Sequence, residues 1–174
     1  RLRWAGVSCL LLPKVKVFHD RQLTLKKEGR ILTSKMIKNR KGKFSLDDIH
    51  LIEKLLVTNS WWDSVDTISK FILGDYLNQF PEEIEGVIQR FSEAENMWLN
   101  RSAILFQLGY KSKTDFELLQ SVCIQHSHSN EFFIRKAIGW ALREYAKTNL
   151  EEVREFVRQT NLKPLSKKEA LKNI

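Results

Sequence analysis

A chain of 174 residues, 43% hydrophobic and 29% charged, has the size of one ordinary domain and enough apolar mass for a real core. Its two cysteines, Cys9 and Cys123, stand alone, which excludes a disulfide framework and a CxxC metal or redox site and points to a reducing, cytoplasmic setting. The net charge of +8 invites a nucleic-acid reading, yet residues 1–43 balance at +11, residues 44–130 at −7 and residues 131–174 at +4, so charge alone does not separate a DNA surface from solvated faces.

In chain order, the basic segment 1–44 comes first. Its apolar run "WAGVSCLLL", residues 4–12, is too short to cross a bilayer. Arg1 rather than Met at the start is what a fragment would show. From residue 45 onward few prolines and glycines interrupt the chain, and no stretch alternates in the manner of strands, so helices are predicted throughout. Ser45 is predicted to cap "LDDIHLIEKLLV", with Leu51, Ile52, Leu55 and Leu56 at helical spacing. In "WWDSVDTISKFILGDYL" the apolar stripe is Val65, Ile68, Phe71 and Ile72. Pro81 opens "PEEIEGVIQRF" as a first-turn proline with acids behind it. Then follow "ENMWLNRSAILFQLGY", "KTDFELLQSVCIQH", "NEFFIRKAIGWALREYAK", "NLEEVREFVRQT" and "SKKEALKNI". Eight helices on short links make helical hairpins, and stacked hairpins make an all-α superhelix, a solenoid of HEAT-like repeats. Asp66 to Arg101 is 35 residues and Arg101 to Trp140 is 39, close to a HEAT-type period of about 40. Those intervals would set the three residues at equivalent places along one groove.

Certain side chains stand out from this framework. Trp62 and Asp66 are four apart and share a helical face, while Trp61 is turned about 100° away. Trp98 and Arg101 share a face three apart. Lys136, Trp140 and Arg143 lie at i, i+4 and i+7, off the broad apolar face formed by Phe133, Ala137 and Ala141 with Ile134, Ile138 and Leu142. An indole between two cations reads either as a junction residue with snorkelling neighbours or as an aromatic wall beside phosphate-binding charges. Gly139 costs its helix about 1 kcal/mol relative to Ala, which close helix packing would explain. His126 and His128, two apart with no acid or cysteine cluster, read as loop residues at a helix end rather than a metal pair. There is no glycine-rich phosphate loop, HExxH or nucleophile elbow, so no cofactor or metal is implied.

"SWWDSVD", "MWLNRSAILFQLGYK", "EFFIRKAIGWALREYAKT" and "LKPLSKKEALK" together resemble the AlkD family of bacterial DNA alkylation repair glycosylases, built from HEAT-like repeats. The likeness runs over residues 45–174, which implies a repeat glycosylase domain there and leaves 1–44 as a poorly matched basic segment or incomplete first repeat. It implies excision of purines alkylated at N3 or N7, such as 3-methyladenine and 7-methylguanine, from double-stranded DNA by a monomer without cofactor. The family's essential acid falls on Asp66, its aromatic partners on Trp62 and Trp140, and its arginine gripping the DNA backbone on Arg101. Arg143, with Lys136 beside it, falls at a further DNA-contacting position. The residue types suit that chemistry: a carboxylate stabilises positive charge developing on the deoxyribose, and indole faces attract a cationic nucleotide by about 0.5–2 kcal/mol each. Asp63, one residue from Trp62, points elsewhere and supports the first helical turn. The rival readings are a non-catalytic HEAT-like module that binds DNA or protein, and a pure protein scaffold.

Overall fold

The computed structural model describes residues 42–58 and 60–173, together with the backbone of β1 (Arg3–Trp4) and β2 (Val7–Ser8), which pair antiparallel. Most of the predicted segment 1–44, Cys9 included, therefore lies outside the described residues. From Phe44 onward the chain is helical, with eight helices among the described residues, as the apolar periodicity predicts.

Helix α1 (Asp48–Val57) begins three residues after its predicted cap. The Ser45 backbone N–H donates to the Asp48 carboxylate at 2.8 Å, and the Asp48 N–H donates to the Ser45 carbonyl at 3.1 Å. An acid thus closes this entry turn where a serine hydroxyl was expected, because a carboxylate is the stronger acceptor and suits the positive end of the helix. Helix α2, residues 62–79, is wound in three parts: α-helical Trp62–Thr67, a π-helical Ile68–Leu73 and α-helical Gly74–Gln79. The wider π turn rotates the stripe. Ser69, Ile72 and Leu73 go to the core, and Phe71, predicted inside, is 41% exposed.

After a 3-10 turn at Pro81–Glu83 come α3 (Ile84–Glu93) and α4 (Met97–Leu105). Asn96 caps α4, accepting from the Trp98 N–H at 2.9 Å, and the Asn100 side-chain amide donates to the carbonyls of Phe91, Ser92 and Ala94. Orphan carbonyls at the end of α3 are satisfied in this way. Helix α4 is shorter than predicted because the chain turns at Gly109, whose φ is +96°. There follow α5 (Phe116–Gln125), α6 (Phe132–Ala146), α7 (Leu150–Gln159) and α8 (Pro164–Ala170). Asp115 caps α5 and Asn149 caps α7. His126 terminates α5 and His128 lies in the turn beyond, the loop positions predicted for them.

Helices α2, α4, α6 and α8 pack side by side in chain order, while α1, α3, α5 and α7 pack onto that row. The result is an α-helical repeat superhelix with its core between two helical layers. The predicted apolar face of α6 is that core: Ile134, Ala137, Ile138 and Leu142 are almost fully buried. Gly139 sits where α8 crosses α6. A Cβ there would overlap the Glu169 Cβ and stand 2.9 Å from the Ser166 carbonyl oxygen and 3.1 Å from the Ala170 nitrogen. Two of those atoms are backbone, so α8 itself would have to move. We expect Gly139→Ala to destabilise the protein by about 1–3 kcal/mol despite the better helix propensity of Ala, read as a lowered denaturant midpoint.

Candidate functional site

Asp66, in the second turn of α2, faces Arg101, in the middle of α4. The Arg101 Nε donates to Asp66 Oδ1 at 2.7 Å and Nη2 donates to Oδ2 at 2.9 Å, a fork-to-fork pair. The remaining nitrogen, Nη1, donates to the Phe133 carbonyl in the first turn of α6. Three helices of the row are therefore tied through one guanidinium. One turn further along α2 and at the next residue of α4, Ser69 Oγ donates to Ser102 Oγ at 2.9 Å, and Ser102 donates to the Trp98 carbonyl at 2.7 Å. The pair is nearly dry, with Asp66 9% and Arg101 4% exposed.

Aromatic rings cover it. The Phe133 ring lies 5.9 Å from the guanidinium, within cation–π range. Trp98, Phe132 and Trp61 surround that ring at centroid distances of 5.2, 5.4 and 6.2 Å. Burial pushes the Asp66 carboxyl above the ordinary carboxylate value; the hydrogen bonds and charge of Arg101 oppose that push, and the charge of Asp63 adds to it. Because arginine does not give up its proton, a carboxylate accepting from two of its N–H groups is the ionised form.

Trp62 begins α2 one turn before Asp66 and is 40% exposed, whereas Trp61 is engaged with Phe133. Trp61 stands just outside the helix on extended backbone, so the helical offset of about 100° expected between the two indoles does not describe it, and it is as exposed as Trp62, at 41%. Asp63 stays in the first turn of α2, where its carboxylate accepts from the Ser64 hydroxyl. The structure joins Asp66 and Arg101 directly. It also differs from the picture of Arg101 as a groove-lining cation: α4 lies between α2 and α6, so the guanidinium is enclosed by both neighbours.

Trp140 is half-buried on α6 and packed against the core; seven residues after Phe133, it lies on the same side of the helix about 10 Å along the axis, not off that apolar face as expected. Lys136 and Arg143, one turn before and one turn after it, converge on Glu169 of α8. Lys136 Nζ is 2.9 Å from Oε1, and Arg143 Nη1 is 3.1 Å from Oε2 and also donates to the Glu169 carbonyl. Lys136 first, with Arg143, holds the Glu169 carboxyl below its ordinary value against partial desolvation. Sequence reasoning missed Glu169 and the role of the Phe133 carbonyl. Nothing in local spacing marks either, since their partners are 26 and 32 residues away. Among the described residues no group of three His, Cys, Asp or Glu is disposed to hold a metal, and no helix is long and apolar enough to cross a membrane.

With this geometry in hand, comparison with known proteins is informative. The family model described as DNA alkylation repair enzyme matches residues 24–174, reaching back past residue 45 into the segment that the motif resemblance did not cover. A solved structure described as a predicted DNA alkylation repair enzyme from Enterococcus faecalis is similar with a TM-score of 0.76 and 31% identity, over 93% of this chain and 74% of that one. No curated protein matches this chain.

Removing one member of a buried ion pair strands the other in low dielectric. We expect Arg101→Gln to cost about 3–5 kcal/mol in denaturant unfolding. Adding Asp66→Asn to it should restore part of the loss. The single variant's penalty should also shrink as pH falls, because the stranded Asp66 takes up a proton and its charge disappears.

Proposed function

We propose a specific activity for this chain, which belongs to the DNA alkylation repair enzyme family: hydrolytic excision of cationic N3- and N7-alkylated purines, 3-methyladenine and 7-methylguanine, from double-stranded DNA by a monofunctional glycosylase acting as a cytoplasmic monomer. The observation that carries this reading is the Asp66 carboxylate, fixed in its ionised form by Arg101, one turn from the exposed indole of Trp62.

Alkylation at N3 or N7 makes the purine a good leaving group, so the barrier lies in positive charge gathering on the deoxyribose as the glycosidic bond breaks. A preorganised carboxylate stabilises that charge and orients the attacking water through lone pairs that Arg101 leaves open. Trp62 and Trp140 supply electron-rich faces toward the cationic nucleotide. Arg101 chiefly holds Asp66, and any contact with the DNA backbone uses N–H groups not already taken by Asp66 and Phe133. Lys136 and Arg143 serve the phosphates. The competing reading, a non-catalytic HEAT-like module, draws on the same pair, because 9% exposure of Asp66 is also what a purely structural ion pair shows.

Base release decides between them. Folded protein given methylated duplex DNA should liberate 7-methylguanine, and Asp66→Asn should lower that rate by about 10²–10³-fold with duplex binding retained. Folded wild-type protein that liberates no alkylated base would overturn the proposal. Since only ionised Asp66 serves, and burial raises its pKa, the rate should decline on acidification at a pH above the ordinary aspartate value of 3.8.

A further inference from the structure

The stretch "LKPLSKKEALK" carried part of the family resemblance, yet none of its residues has a role in the chemistry so far. Its helix, α8, packs along α6 with Pro164 in its first turn. The Ser166 hydroxyl donates to the Arg135 carbonyl at 3.1 Å. Directly beyond, the missing side chain of Gly139 admits the Glu169 Cβ against α6. That seating delivers the Glu169 carboxylate between Lys136 and Arg143, three residues before and four residues after Gly139.

We infer that Glu169 is a positioning residue, a carboxylate clamp that fixes Lys136 and Arg143 on either side of Trp140 for engagement of duplex phosphates. The inference rests on the glycosylase reading for its catalytic consequence. A negative group beside two cations offered to a polyanion weakens attraction, so its presence requires a compensating use. Unclamped, Lys and Arg side chains each lose rotamer freedom when they settle on a phosphate. Clamped by one carboxylate, part of that ordering is already done in the free protein. The exposures fit this division: Glu169 is 12% exposed at its side chain, while Arg143 at 25% and Lys136 at 37% keep donors toward solvent. The Glu169 carboxylate is acceptor-only, and the residue's backbone carbonyl accepts a second bond from Arg143, so the arginine is held at two points.

The test uses Glu169→Gln in the full chain, which keeps shape and seating and removes the charge. On a labelled unmodified duplex, the variant should bind at least as tightly as wild type at low salt, with a log Kd versus log salt slope steeper by about one, because the two cations no longer share their charge with a carboxylate. On methylated duplex, its single-turnover rate of base release should fall about tenfold or more, since loosened geometry lowers the rate even where affinity does not fall. A merely structural role predicts the opposite pattern, with a lowered melting temperature and weakened binding. Either that pattern, or an unchanged slope with a rate within about twofold of wild type, overturns the inference. If wild-type protein releases no base, the glycosylase reading falls, while the slope comparison still decides the clamp.

Discussion

The buried pair of Asp66 and Arg101 is the interaction on which the arrangement of the row depends. Two opposite charges removed from water are tolerable only if each oxygen and nitrogen finds a partner with good geometry. That requirement aligns α2 and α4 to within a fraction of a turn, because a fork-to-fork contact does not survive a slip along either axis. The same guanidinium reaches the Phe133 carbonyl, so α6 is brought into register with the other two. Ser69 and Ser102 reinforce the alignment beside the pair with a neutral bond. An ion pair of this kind adds little net stability compared with apolar packing; its contribution is to select one register of helices over the alternatives.

Helix α6 carries the consequences along its length. Its first turn gives the carbonyl and ring that enclose Arg101, and its third turn carries Trp140 with Lys136 and Arg143 on either side. Gly139 stands within the second region, between Lys136 and Arg143, and admits α8. A residue that weakens a helix by itself is here the condition for a close helix contact, since any Cβ would meet backbone atoms of α8. The same logic applies on α2. A Cβ on Gly74 would stand 2.7 Å from the Phe106 carbonyl oxygen, and the Gly74 carbonyl accepts from Tyr110 at 2.6 Å. Small residues at crossings and charged residues between helices together set the spacing and the register of the repeats.

Much of this was legible in the amino-acid order. The eight helices, the buried face of α6 and the close packing at Gly139 all follow from local rules of periodicity, sterics and propensity. So does the shared helix face of Trp62 and Asp66. What was not legible has a common cause. Phe71 is outside because a π turn, set by packing against other helices, changes the period on which its inward assignment depended. Arg101 is enclosed because α4 has neighbours on both sides, and nothing within its own helix says so. Glu169 went unmarked because a carboxylate in "KKEAL" is an ordinary solvated residue until α8 is laid across α6.

By itself the sequence determined which segments become helices, which faces those helices bury, and which residue types were available for recognising a cation, because each of these depends on groups within a few residues of one another. Only the tertiary structure decided that Asp66 meets Arg101 and that Lys136 and Arg143 meet Glu169. Those meetings depend on helix crossings 26–35 residues apart in the chain, and the energy of a charge depends on what surrounds it in space, which local order along the chain does not specify.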